Sequence, residues 1–442
     1  MGWIGRQATH HQRKKPHITA ARVTAIAMLD IGLHGHDGLD PVASLASITA
    51  YVTPRLLHGL EAAVLPPKDL AKIDMFYKKL LRQIQGLPQN VATEAIYLLL
   101  NTVPIEAVLH KRVLTLLGCI ARLGPENSLY KLALRQLATK QLKSNSWFSQ
   151  AARIANQYNI NAHDAVLSPL PKLSWKRYVK KMVEEHWLEK LYRGACSRVT
   201  LRYLITTRGR PHQVWTTCRG AQSQVTSATV RAKMLVGRFY LQVDAHKFSQ
   251  KKKGPIIPPT CQLCNQENED LAHLLTRCPR LDSTRADLVR ILLSLYQEED
   301  LPPPTGGEEL TSAILNGGYY EISMGSQHSP GACSACLCNH MSSSMLVSGT
   351  AAQLGQYSRV MLDSQLKCTS IDLASNVGQC KTCHILCKCN STHSQKDSYV
   401  IQLSRNTYRA NRLCNSLVYR LHRHRDNVLT SIEGSPHPIG GI

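Results

Sequence analysis

The chain has 442 residues, 43% of them hydrophobic, and a formal net charge of +23 at pH 7. That length gives room for two or three domains with cores of their own, and the hydrophobic share excludes disorder throughout. No apolar run approaches the ~20 residues of a spanning helix, which argues against a membrane protein, and the charge points to a polyanionic partner, nucleic acid being the usual one.

Residues 1–16 read as a basic tail with no apolar stretch of the secretory kind, and Arg6 stands where N-myristoylation requires Ser or Thr. The expected location is intracellular, nucleus or cytoplasm. The 15 cysteines are then expected to be reduced, and clustered ones to be metal ligands rather than disulfides. A helix is predicted from His17, with Ile18, Ala21, Ala25, Met28 and Leu29 on one face. Gly32, Gly35 and Gly38 punctuate the following HGHDGLDP, so His34, His36 and Asp37 read as a tight turn rather than a metal site. An apolar helix over Val42 to Val64 should be kinked or split at Pro54. Pro66 and Pro67 open the next helix and Gly86 ends it, with Leu70, Ile73, Phe76, Leu80, Leu81 and Ile84 as the buried stripe. Lys72, Lys78, Lys79 and Arg82 lie largely off that stripe. Further helices are predicted at 91–100, 104–123 and 128–144.

Trp147, Trp175, Trp187 and Trp215 punctuate residues 145–255, where helices are predicted at 146–158, 172–193 and 222–240. Three basic runs follow one another here. Lys172, Lys176, Arg177, Lys180 and Lys181 are interleaved with Trp175 and Tyr178; Arg198, Arg202, Arg208 and Arg210 surround Tyr203; Lys247 precedes Lys251, Lys252 and Lys253. Basic groups neutralise phosphates and aromatic rings stack on exposed bases, a mixture that suits single-stranded nucleic acid. The alternative is that the tryptophans anchor a helical core while the lysines face water.

The sharpest signal lies between Pro258 and Pro279, where Cys261-x2-Cys264-x8-His273-x4-Cys278 occurs. Three thiolates and one imidazole suit a tetrahedral Zn²⁺ site, and Cys-x2-Cys lets two ligands come from one turn. Leu271, Leu274 and Leu275 lie at helical spacing around His273. The expectation is a turn with two cysteines, a short helix presenting His273, Cys278 just past its end, and a supporting helix at 280–297. Free thiols beside an ordinary helix are the alternative. LPPPTGG, from Leu301 to Gly307, reads as a linker, and 316–398 is rich in Ser, Gly and Cys. There Cys333, Cys336, Cys380 and Cys383 are candidates for a second Cys₄ site, with Cys338, Cys387 and Cys389 as spares. The last stretch, from Val400, reads as a basic amphipathic helix with Leu413, Leu417, Leu421 and Val428 among its apolar positions.

Several blocks resemble the part of animal non-LTR retrotransposon reverse transcriptases that follows the polymerase palm. They are Tyr51 to Glu61 (YVTPRLLHGLE), Gln85 to Pro88 (QGLP) and Pro104 to Ala107 (PIEA). The Cys/His element is similar too: Glu269 and Asp270 precede His273, Cys278-Pro279 closes it, and eight residues separate Cys264 from His273 where compact retroviral knuckles have four. Leu413, Cys414, Leu417, Leu421, His422, Arg425 and Asp426 match the family's C-terminal helix. The resemblance is strongest at 17–123, 258–290 and 399–430. With the helical periodicity it implies a mainly α chain: a basic N-terminal tail (1–16), a helical thumb-like region (17–144), a basic helical connector (145–257), a zinc-binding element with its supporting helix (258–300), a linker and partly disordered Cys/Ser-rich region (301–398), and a C-terminal basic helix (399–431).

Polymerisation needs paired aspartates that hold two metal ions, and the family places them in a Tyr-x-Asp-Asp turn on the palm. No Asp-Asp pair occurs here, and Met1 is expected to start after that active site. Glu184–Glu185 and Glu298 to Asp300 read as solvated surface, and Cys119, Cys196 and Cys218 as buried thiols rather than nucleophiles. The resemblance therefore implies a nucleic-acid-binding remnant that takes RNA or DNA, carries Zn²⁺ and is not itself an enzyme. Two alternatives stand beside it. One is an RNA-directed DNA polymerase component whose palm a partner protein supplies. The other is a helical protein-interaction module.

Overall fold

Apolar residues three and four apart fold as helices through most of the chain, giving the mainly α architecture that the periodicity predicts. The structure is a computed structural model and describes residues 14–35, 38–206, 209–218, 222–251, 254–298, 300–317, 320–323, 398–401 and 407–433. It divides into two units, Met1–Gly318 with Leu403–Ile442, and Tyr319–Gln402. No described helix is long and apolar enough to cross a membrane.

The first unit opens with α1 (Lys14–Asp30) and α2 (Pro41–Ser47), the latter capped by the Asp40 carboxylate on the amides of Val42 and Ala43. Pro54 does split the next stretch. It has no N–H for the carbonyl four residues back, and the chain widens to a π-helix over Ile48–Val52 before α3 (Thr53–Leu57) resumes. Next comes α4 (Pro67–Ile84), which ends where Gly86 takes φ 60°. Its buried stripe is Ile73, Tyr77, Leu80, Leu81 and Ile84. Tyr77, not Phe76, is the aromatic residue turned inward.

In α5 (Thr93–Leu100) every residue from Ala95 to Leu100 is buried, so this short helix lies at the centre of the packing. Around it run α6 (Ile105–Ala121), α7 (Ser128–Thr139), α8 (Trp147–Gln157), α9 (Ala162–Leu167) and the 25-residue α10 (Lys172–Cys196). Where α6 and α10 touch, Gly118 leaves room for the Trp175 indole, whose N–H donates to Leu114 O at 2.8 Å; a Cβ on Gly118 would lie 2.1 Å from that nitrogen. Trp187 donates to Tyr158 Oη (2.9 Å) and Trp215 to Gln85 Oε1 (3.2 Å), and all three indoles are buried. These three tryptophans therefore anchor the core, since a buried indole needs an internal acceptor, and they do not face bases.

Past the four-residue turn α11 (Gln213–Thr216) come α12 (Gln222–Leu235), α13 (Gln242–Ser249), α14 (Asp282–Glu298), α15 (Gly307–Asn316) and, after the second unit, α16 (Thr407–Glu433). The helix α15 begins at the last residue of LPPPTGG, after residues 301–305 that form neither helix nor strand. Glu308 and Glu309 favour its N-terminus, Gly317 closes it in the left-handed region, and Thr311, Ala313, Ile314, Leu315 and Asn316 are buried. In the second unit, β1 (Tyr320–Ser323) pairs antiparallel with β2 (Ser398–Ile401), Tyr320 opposite Ile401. Residues 398–401 thus form a strand where a first helical turn was predicted. The cysteines proposed for a second metal site, Cys333, Cys336, Cys338, Cys380, Cys383, Cys387 and Cys389, lie outside the described residues, as do His36 and Asp37.

Candidate metal centre and basic surface

Local hydrogen bonding folds CQLCN into a tight loop. Thr260 pairs with Asn268, the Cys261 amide donates to Glu267 O, and the Asn265 amide donates back to Cys261 O, both at 2.8 Å. The peptide N–H groups of Leu263 and Cys264 then point at the Cys261 sulfur, and those of Gln266 and Glu267 at the Cys264 sulfur. Asp270 caps the next turn by accepting from the His273 amide at 2.6 Å. Residues His273–Arg277 form a π-turn, and its closing bond, Cys278 N–H to His273 O at 2.8 Å, carries the chain round so that Cys278 faces Cys261.

The four predicted ligands meet. Their donor atoms all lie within 4.8 Å of one another, with Cys261 and Cys278 sulfurs 4.0 Å apart and Cys264 Sγ 3.4 Å from His273 Nε2. A tetrahedral ion with bonds of the zinc–sulfur and zinc–nitrogen kind would space such donors at about 3.5–3.8 Å. Cys261, His273 and Cys278 are wholly buried. His273 Nδ1 faces Glu267 Oε2 at 3.1 Å, which assigns the proton to Nδ1 and leaves the Nε2 lone pair inside the cluster. Burial pushes the Cys278 thiol up to about 12 and raises Cys261 as well. At Cys264 burial also raises, but the amides of Gln266 and Glu267 outweigh it and bring the thiol below its usual value. Three sulfurs this close share their negative charge well only with a cation among them, so the chemistry of the donor set fits a metal ion. All four positions are filled by protein, the closed form of a structural site.

Outside the ligands lies a layer that the sequence reading missed. Glu267 and Asp270 both meet Arg277, at 3.2 and 3.1 Å, and Arg285 of α14 donates to Cys278 O. Glu269, 1% exposed, takes Arg425 of α16 in a two-point ion pair at 2.8 and 3.0 Å. The same carboxylate accepts from the Gln242 amide at the start of α13, at 2.9 Å. The match of Glu269 and Arg425 to two separate family blocks was the only signal in the sequence, and it did not say that the blocks touch.

Beside Arg285 and Arg425, a third cation is buried. Arg231 on α12 is fully buried and donates to Leu315 O (2.8 Å), Asn411 O (3.0 Å), Asn411 Oδ1 (2.8 Å) and Asn415 Oδ1 (2.7 Å). All four acceptors are neutral.

The basic runs fare unequally. Lys172, Lys176, Arg177, Lys180 and Lys181 are all exposed along the first half of α10, with Tyr178 beside them at 37% exposure. In the second run Arg198 pairs with Glu94 at 2.8 Å and Arg202 with Glu308 at 3.8 Å; Tyr203 is buried, Arg210 is exposed, and Arg208 lies outside the described residues. Lys247 and Lys251 are exposed, while Lys252 and Lys253 lie outside the described residues. On α4, Lys72 meets Asp69 and Lys78 meets Asp74. Cys119 and Cys196 correct the expectation of buried thiols: both are exposed, one on the outer side of α6 and one at the last residue of α10, and Cys218 alone of the three is buried. Glu184 also departs from a plain solvated surface, since it pairs with Lys111 of α6 at 3.0 Å. No family model, curated protein or solved structure matches the chain.

Proposed function

We propose that this chain binds RNA or single-stranded DNA on a basic helical surface, with zinc as a structural ion at Cys261, Cys264, His273 and Cys278. The observation that carries the reading is the outward edge of α10, five exposed cations within ten residues on a chain of net charge +23. Phosphates are the ligand such an edge attracts, and release of their counterions supplies the binding energy. Zinc would hold the two halves of the Cys/His element together, while Glu267 orients the His273 ring and Glu269 fastens the element to α16. The sequence blocks that resemble non-LTR retrotransposon reverse transcriptases support reading the chain as a remnant of one, without polymerase aspartates of its own.

Fluorescence anisotropy with labelled single-stranded RNA, single-stranded DNA and duplex DNA tests it. Binding should weaken steeply as salt rises from about 50 to about 200 mM, with a log–log slope of roughly −0.7 per phosphate contacted. Replacing Lys172, Lys176, Arg177, Lys180 and Lys181 together by Gln should lower both the affinity and the slope. Binding that ignores both salt and these substitutions would overturn the proposal.

A further inference from the structure

Trp147 is the described tryptophan that the core does not enclose. It lines an open cavity of ≈ 430 Å³ between the end of α7 and the start of α8, together with Gln136, Lys140, Asn145 and Ser146. That volume lies within the roughly 300–1,000 Å³ of small-molecule sites. The indole is held in place before any ligand arrives: its N–H donates to Glu61 O at 2.8 Å, and Phe148 packs edge-on against it, centroids 5.0 Å apart at 86°. Ser146, the residue that precedes α8, gives its hydroxyl to Gln136 Oε1 rather than to the helix amides. The Gln136 amide NH₂ and the whole Asn145 amide remain to meet a ligand, Lys140 stands exposed at the rim, and no carboxylate lines the cavity.

A fixed aromatic wall, amides with both donor and acceptor character, and a lone cation match the face of a base, its polar edge and a phosphate. We propose that this cavity takes one unstacked nucleotide, its base against Trp147, its edge at Gln136 and Asn145 and its phosphate at Lys140. The inference rests on the nucleic-acid reading for a nucleotide within a strand; a free nucleotide would present the same chemistry.

The experiment follows intrinsic tryptophan fluorescence and affinity together in the full chain, for a single-stranded oligonucleotide and, separately, for a nucleoside 5′-monophosphate. The variants are Trp147→Tyr, which keeps a stacking ring, and Trp147→Leu, which does not; circular dichroism confirms that each folds. The oligonucleotide should quench wild-type emission, and the quench should vanish in both variants. Trp147→Leu should bind about tenfold more weakly with an unchanged salt slope, and Trp147→Tyr should bind close to wild type. Salt-dependent oligonucleotide binding with no quench and no effect of Trp147→Leu would overturn the cavity and leave the wider proposal standing. If no oligonucleotide binds, the wider proposal falls. The cavity then stands as a free-nucleotide site if the monophosphate quenches Trp147, and falls with it if not.

Discussion

His110 and His212 show how far a side chain can be pushed by its surroundings. His110 bonds Tyr158 Oη at 2.6 Å inside the α6–α10 packing, and burial first, then the neighbouring His186, lowers its pKa to about 4. His212 bridges the Val214 amide and Asn316 Oδ1, and burial followed by the Arg231 charge takes it to about 3. Both imidazoles are neutral in the folded chain. An unfolded histidine titrates near 6.5, so below that pH the unfolded state binds the extra protons. Their contribution is complete above pH ~6.5 and declines as pH falls towards about 4 and about 3, by on the order of 3 kcal/mol for His110. Urea midpoints should drop between pH 7 and pH 4, and His110→Gln should flatten that dependence; a midpoint that holds level would refute the assignment. None of this was legible beforehand. A histidine among leucines reads the same whether it is buried neutral or turned to water, and Arg231 inside VTSATVRAKMLVG gives no hint that its acceptors lie on α15 and α16.

At the scale of elements, long periodic helices and the wholly apolar α5 were legible, and the other short helices were not. The spacing in α4, α6, α8, α10 and α14 places each to within a few residues, because an apolar stripe repeated over three or more turns has no other use. The short elements α9, α11, α13 and α15 run from four to ten residues, too few repeats to rise above their polar flanks. The two π segments were hidden as well, since an i→i+5 bond leaves no mark in composition. The join between the Cys/His element and α16 is the element-scale feature with the largest consequence. Glu269→Gln keeps the shape but takes the two-point counter-charge from the buried Arg425 guanidinium, leaving only the half-exposed Asp426 at 3.9 Å, an expected cost of about 3 kcal/mol. Hydrogen exchange should accelerate over residues 407–433 while α10 stays protected. Uniform protection in both would show that the ion pair does not fasten α16.

For the whole molecule, the charge and the Cys/His donor set could be read from the sequence while connectivity could not. Four ligands within 18 residues are close enough for spacing alone to find them. The partners that surround them come from α13, α14 and α16, and those on α13 and α16 lie 27 and 156 residues from Glu269, separations that no local pattern spans. Because the Cys/His element touches all three, loss of its ion should be felt through the first unit and not only locally. Wild-type protein is expected to carry about one zinc per chain by atomic absorption, and chelation or Cys264→Ser to remove it. The thermal midpoint should fall by several degrees in both cases. Full metal loss with no change in the midpoint would deny the ion its structural role.

The guanidinium of Arg231 waits on asparagines 180 and 184 residues further along the chain. During synthesis α12 leaves the ribosome long before Asn411 and Asn415 exist. At roughly 5–20 residues per second the delay is on the order of ten to forty seconds. Through most of it an arginine destined for a dry interior has, of its final acceptors, at best Leu315 O, and water must serve the remaining N–H groups. The first unit therefore cannot complete this packing until α16, beyond the intervening 84 residues of Tyr319–Gln402, has been made. A single buried cation thereby ties completion of this packing to residues as far along the chain as Asn415.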